Sequence, residues 1–196
     1  MKQVLAAARY ADIELTSTQL AQMKRYADWL RTEGHQAGGI GPDELDRVER
    51  RHLADSLLFV SELDGPQETW DLGTGVGLPG VPMAIALPDT HFVLVDRSGR
   101  RIDLLRRALR ILELENCEVM QSEIGDLRGE IESIVARASL RPDEMVDVAH
   151  RLLVPGGRAV IAGSWRQRPQ HPGWTTVEIP QDVLDQTVWL LIMRRE

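Results

Sequence analysis

The run Trp70-Asp71-Leu72-Gly73-Thr74-Gly75-Val76-Gly77-Leu78-Pro79-Gly80 constrains this chain more than any other stretch. Glycines alternate with other residues between a short apolar run and a segment that reads as helix. Glycine tolerates positive φ and, lacking a β-carbon, lets another group come close to the backbone. A strand that passes through such a turn into a helix begins a strand–helix–strand unit. Repeated units of that kind build a mainly parallel sheet with helices on both faces and right-handed crossovers.

The rest of the chain keeps this rhythm. Apolar runs predict strands at 70–72, 91–96, 117–121, 133–136, 158–162, 177–179 and 188–193. Helices are expected at 79–87, 98–112 and 142–153, the last with Pro142 in its first turn, and a weak one near 125–130. The ending differs from the middle. Eight residues, 180–187, separate the last two strands. That is too short for a parallel crossover and suits an antiparallel pair. A mainly parallel seven-stranded sheet with a terminal antiparallel hairpin is the arrangement of class I, Rossmann-like methyltransferases. Ahead of it, residues 1–63 read as a helical extension. Thr16 and Ser17 are N-cap candidates, and Leu20, Met23, Ala27 and Leu30 recur at helical spacing. A second helix is expected over 42–63, with Leu45, Val48, His52, Asp55, Ser56 and Phe59 on its buried face. The expected organisation is an extension, 1–63, and a core, 64–196, in one compact unit.

Composition sets the outer bounds. Hydrophobic residues at 43% and charged residues at 27% fit a globular unit with a sizeable core. No apolar run approaches the roughly 18 residues of a membrane span, and Asp12 and Glu14 interrupt the start too early for a secretory signal. One cysteine, Cys117, excludes an internal disulfide and a cysteine-based zinc cluster, so no metal is expected. These features predict a cytoplasmic protein. A net charge of −7 argues against broad nucleic-acid binding, yet residues 97–110 hold six arginines against one acid. That stretch is either a basic ridge or a solvated helix face.

Asp71 immediately precedes the turn, and Asp96 ends the next strand, 25 residues later. An acid at that strand end can take both hydroxyls of a ribose. The G-x-G-x-G spacing differs from the G-x-G-x-x-G that makes room for a pyrophosphate. A carboxylate at Asp71 opposes phosphate and suits a cationic ligand. S-adenosylmethionine, with its amino group and sulfonium, fits better than NAD.

Arg51-His52-Leu53-Ala54-Asp55-Ser56-Leu57, the glycine turn with Val81-Pro82, Leu94-Val95-Asp96-Arg97-Ser98-Gly99-Arg100-Arg101-Ile102, and Ala136-Arg137-Ala138 occur in that order. This series resembles the RsmG family, also called glucose-inhibited division protein B, over roughly residues 45–157. The resemblance implies N7-methylation of a guanine in 16S rRNA with S-adenosylmethionine as donor, and 16S rRNA or the small ribosomal subunit as partner. It implies donor contacts at Gly73 and Leu78 of the turn, alongside Asp71 and Gly75, and at Asp96. It implies others at Ser122 and Glu123, where the family has Ala-Glu beside the adenine. Arg137 matches an arginine near donor and acceptor and would position the reaction. Three places depart from the family pattern. Gln121 stands for Arg, Gly163-Ser164 for Lys-Gly, and Ala37-Gly38-Gly39-Ile40 for a stretch containing Asn-Leu-Thr.

Guanine N7 carries a lone pair and no proton, so alignment matters more than a general base. Arginine donates well to guanine O6, and a contact to N7 itself would block attack. His52, Asp55 and Ser56 share one helix face and cannot form a hydrolase relay. They are expected to hydrogen-bond one another and the glycine turn. Trp165, Trp174 and Trp189 are expected to pack rather than stack on bases. Two other readings stay open on the residues alone: a class I methyltransferase for a small molecule or protein, and a donor-binding module without turnover.

Overall fold

The computed structural model describes residues 1–162 and 168–196. Gly163, Ser164 and Trp165, noted above, lie outside the described residues.

Helix α1 (Lys2–Tyr10) buries Val4, Ala7 and Ala8. Helix α2 (Ser17–Trp29) is capped by Thr16, whose hydroxyl accepts from Gln19 N at 3.2 Å while the Gln19 side chain accepts from Thr16 N at 2.8 Å. This reciprocal pair satisfies two of the backbone donors a helix start leaves open. A π-helical turn, Leu30–Gly34, closes α2. The expected helix over 42–63 is not uniform. It winds as a 3-10 segment (Pro42–Arg47), a π-helical segment (Glu49–Ala54), a short α3 (Asp55–Leu57) and a 3-10 end (Leu58–Glu62). The wide π turn carries His52 just before Asp55, and both turn to one arginine described below.

Strand β1 (Glu68–Leu72) leads through the glycine turn to α4 (Gly80–Ala86), all of whose residues are buried. Then come β2 (His91–Asp96), α5 (Gly99–Leu112) and β3 (Cys117–Gln121). A single 3-10 turn, Ile124–Asp126, stands where a weak helix was expected, since Gly125, Gly129 and a run of charges give it no apolar stripe. It is followed by β4 (Ile131–Ala136), α6 (Pro142–Leu152), β5 (Leu153–Ala162), β6 (Thr175–Ile179), a four-residue α7 (Gln181–Leu184) and β7 (Val188–Arg194).

The seven strands lie in the order β3-β2-β1-β4-β5-β7-β6. The pairs from β3 to β5 are parallel, and β7 runs antiparallel to both β5 and β6. The hairpin inferred from the short 180–187 linker is therefore present. Side chains alternate across the sheet with the period of two that a strand imposes. Phe92 and Leu94 face a cluster shared with Val4, Met23, Tyr26 and Leu57 of the N-terminal helices. Val93 and Val95 face another, built with Met145, Ala149 and Leu152 of α6. No helix among the described residues is long and apolar enough to cross a membrane.

Candidate active site

The chain travels outward from β1 through β2 to β3, then returns to place β4 on the other side of β1. Such a reversal opens a crevice at the carboxyl ends of the strands, where ligands bind in open α/β sheets. Here the crevice measures about 540 Å³ and is lined by Gly73, Gly75, Leu78, Arg101 and Arg137, among others.

Its first wall is the glycine turn. Gly73 N and Thr74 N both donate to Val95 O, at 2.8 and 2.9 Å, which ties the turn to the end of β2. Asp71 lies beneath, fully buried. Its Oδ2 accepts from Thr74 Oγ1 at 2.7 Å and from Gly80 N at 2.8 Å. Burial pushes its carboxyl up to about 6, partly offset by those two hydrogen bonds. Asp71 thus braces the turn through Oδ2 and is not among the residues that line the crevice, while its Oδ1 has no hydrogen-bond partner among the described residues. From α2, the buried Tyr26 donates its hydroxyl to Val76 O at 2.7 Å. Gly73 and Gly75 adopt φ of +73° and +63°. At Gly73 a β-carbon would lie 2.3 Å from Ser139 Cβ, whereas at Gly75 it would meet nothing closer than Gly73 O at 4.0 Å. Gly75 therefore presents bare backbone to open space.

Asp96, buried at the end of β2, does not itself line the crevice but stands directly behind two residues that do, Gly75 and Arg101. Its Oδ2 accepts from Gly75 N at 3.0 Å and faces Arg101 Nη1 at 3.4 Å, and its Oδ1 accepts from Ser98 N at 2.9 Å. Ser122 is tied to it through backbone, Ser122 N donating to Asp96 O at 3.2 Å. Ser122 and Glu123 sit on the turn after β3 and do not line the crevice itself.

The second wall is charged. Arg137, following β4, donates through Nη1 to Arg51 O at 3.2 Å and to Asp55 Oδ2 at 3.3 Å, and through Nη2 to His52 Nδ1 at 3.1 Å. Arginine can only donate, so His52 Nδ1 accepts and Nε2 carries the proton. Burial, with Arg137 and Arg51 nearby, pushes His52 down to about 3. The imidazole is neutral near pH 7, and its 3.7 Å approach to Glu44 is not an ion pair. Burial also raises the Asp55 carboxyl, against the pull of Arg137. Ser56 Oγ donates to His52 O at 2.6 Å. Among the described residues, no hydrogen bond links the side chains of His52, Asp55 or Ser56 to the glycine turn. His52 and Asp55 reach Arg137 instead, Ser56 bonds back to His52, and it is Ser139 that joins the turn, donating to Leu72 O at 2.6 Å.

Sequence reasoning missed Thr74, Tyr26, Ser139, Glu44 and Gln186. Only Thr74 had a local signal, being three residues from Asp71. One departure from the family pattern has a packing reason. A β-carbon at Gly39 would fall 2.1 Å from Val76 Cγ1, so the loop lies against the glycine turn where a larger residue has no room. Gln121 is exposed and donates to Arg97 O at 3.3 Å. Cys117, its thiol pushed up to about 12 by burial, lies on β3 and does not line the crevice.

The family model for GidB, the rRNA small subunit methyltransferase G, matches residues 19–171. The chain belongs to this family. Among curated relatives, ribosomal RNA small subunit methyltransferase G of Mycolicibacterium gilvum is 35% identical over 153 residues, 76% of this chain and 67% of that protein. The protein of the same name from Salmonella schwarzengrund is 32% identical over 174 residues, 88% of this chain and 81% of the other. Against the Mycobacterium marinum relative the match spans 62% of that protein's length. Two solved structures share the fold. A SAM-dependent methyltransferase from Aquifex aeolicus has a TM-score of 0.58 at 15% identity, covering 80% of this chain and all, 100%, of its own. Magnesium protoporphyrin IX methyltransferase from Synechocystis has a TM-score of 0.57 at 15% identity, covering 89% and 97%. The expected class I methyltransferase architecture is thus the architecture of the family member described here.

Proposed function

We propose that this chain transfers a methyl group from S-adenosylmethionine to N7 of a guanine in 16S rRNA, in the crevice between the glycine turn and Arg137. Family membership carries the coarser part: the chain is an S-adenosylmethionine-dependent methyltransferase of small-subunit rRNA. The observation that carries the placement is the meeting, in one crevice, of the glycine turn with the His52–Asp55–Arg137 cluster.

The residues fit the donor. The uncovered backbone at Gly75 leaves space for close approach, Leu78 offers apolar surface, and Asp96 offers a carboxylate at the strand end for ribose hydroxyls. Gly73 shapes the turn, Asp71 braces it, and Ser122 and Glu123, on the turn after β3, would hold the adenine. When bound, the donor supplies an electrophilic methyl on a cationic sulfur. The protein's own residues align and exclude water. His52 and Asp55 hold the Arg137 guanidinium at the crevice, where it can donate to guanine O6 or to a phosphate. Both are committed to Arg137, and N7, which has no proton to lose, asks neither for base catalysis. The extension 1–63 belongs to the same unit as the core 64–196 in this reading, because it supplies His52 and Asp55. The reaction takes place in the cytoplasm, on free 16S rRNA or the small subunit.

Mass spectrometry of nucleosides from 16S rRNA tests the reading. Cells lacking the protein should lose one N7-methylguanosine, and the wild-type gene should restore it. An unchanged N7-methylguanosine content would refute the N7 assignment.

A further inference from the structure

Asp96 and Arg101 together set a condition on binding. An ionised carboxylate has about four lone-pair positions. Gly75 N, Ser98 N and Arg101 Nη1 face three of those of Asp96. Two ribose hydroxyls need two positions, so one existing partner must leave. The backbone donors are fixed by the glycine turn and by the start of α5, at 3.0 and 2.9 Å. Arg101 is the long contact, at 3.4 Å, on a side chain 43% exposed.

The surroundings give Arg101 somewhere to go. Arg97 and Arg100 are exposed, lie within four residues of it around the first turn of α5, and have no ion pair among the described residues. Farther along the helix the basic ridge is partly spent, Arg106 facing Asp103 at 3.1 Å and Arg107 facing Glu33 at 3.1 Å. Arg110 has no ion pair among the described residues but stands about 14 Å farther along the axis. The six arginines are therefore not one uniform ridge. Among the described residues, the unpaired part next to Arg101 in sequence is Arg97 and Arg100, while Arg101 itself lines the crevice and is held back by Asp96.

We infer that donor binding at Asp96 releases Arg101 to join Arg97 and Arg100 in a rim that binds RNA phosphates, so that donor and RNA strengthen each other's binding. The inference rests on the donor site proposed above. Linkage makes the effect reciprocal: RNA that captures Arg101 also frees Asp96 for the donor. On a chain of net charge −7, one added cation at the mouth of the crevice favours RNA after the donor is seated.

The test uses the full chain, unmodified 16S rRNA transcript and S-adenosylhomocysteine, the demethylated donor. Calorimetry reads binding of S-adenosylhomocysteine, and filter binding across a salt series reads binding of RNA. Saturation with S-adenosylhomocysteine should tighten RNA binding about fivefold or more. It should also steepen the log K against log salt slope by about 0.7, the share of one further phosphate contact on a single strand. Arg101→Gln should remove both effects while binding S-adenosylhomocysteine at least as tightly as wild type, and Arg101→Lys should restore the slope change. An unaltered slope in wild type, linkage retained in Arg101→Gln, or no restoration by Arg101→Lys would overturn the inference alone. No heat of binding from wild type would overturn the donor site, and this inference with it.

Discussion

The two walls of the crevice are built on opposite plans. Toward β2 the protein presents backbone, a turn that closes on itself through Asp71, Thr74 and Gly80 within ten residues. Toward β4 it presents charge, and Arg137 is held by groups 82 to 86 residues away in the N-terminal helices. The first wall is fixed by local geometry and needs little from the rest of the chain. The second exists only when the helical extension has packed onto the sheet. Donor binding should therefore depend mainly on the turn, and acceptor alignment on long-range folding.

The largest expected effects come from the two glycines of the first wall, and they separate its two tasks. Gly73→Ala places a methyl 2.3 Å from Ser139 Cβ on a residue with φ of +73°. Left-handed strain of about 1–2 kcal/mol adds to an overpacking cost of about 1–3 kcal/mol, so the fold loses stability in urea melts. Gly75→Asp meets open space and pays mainly the backbone strain. Its carboxylate instead occupies the donor's room. Binding of S-adenosylhomocysteine by calorimetry should weaken about a hundredfold or more, equivalent to about 2.7 kcal/mol. Wild-type affinity in Gly75→Asp would break the assignment of the backbone wall to the donor.

That division also decides what could be read from the residues alone. The glycine turn, the strand that ends at Asp96 and the terminal hairpin were legible because each is a short-range pattern with its own geometric reason. The second wall was visible as separate fragments, H-x-x-D-S and A-R-A, whose meeting depends on how the extension docks. The bracing role of Asp71 was hidden for a related reason: sequence adjacency to a turn does not say whether a carboxylate also holds the turn from beneath. Tyr26 and Ser139 carried no signal, since nothing local distinguishes a core tyrosine from one whose hydroxyl reaches a loop carbonyl. The uneven winding over 42–62 was hidden in the same way, its apolar stripe reading as one continuous helix.

A second comparison of the walls is electrostatic. Asp71 sits at about 6 in the folded chain, above the usual 3.8. Its contribution to stability is fully present below pH 3.8 and is lost as pH rises to about 6, a difference of about 3 kcal/mol. His52 sits at about 3, below 6.5. Its contribution is present above pH 6.5 and is lost as pH falls toward about 3. Between pH 4 and pH 6 His52 opposes Asp71, with the raised Asp55 carboxyl acting in the same direction as Asp71, and the wild-type stability curve should be shallower across that range than His52 alone would make it. Each variant should unmask the other. Asp71→Asn should lose stability steeply as urea melts move from pH 6 to pH 4, and His52→Gln should gain it. Parallel curves for the two variants would show that the walls do not titrate as separate units.

The smallest expected effect probes the link from the N-terminal helices to the backbone wall. Tyr26 is fully buried on α2, and its hydroxyl donates to Val76 O at 2.7 Å inside the glycine turn. Tyr26→Phe removes the donor, keeps the ring, and leaves a buried carbonyl without that partner. A neutral hydrogen bond of this kind contributes about 1 kcal/mol, which for a chain of this size is about 2–4 °C in Tm. The Asp71 and Val95 contacts remain to hold the turn, so affinity for S-adenosylhomocysteine should change by less than about threefold, under about 0.7 kcal/mol. A tenfold loss instead would mean that the turn takes its shape from the helices beside it. Both walls of the crevice would then depend on docking of the extension, and the contrast between local and long-range construction would fail.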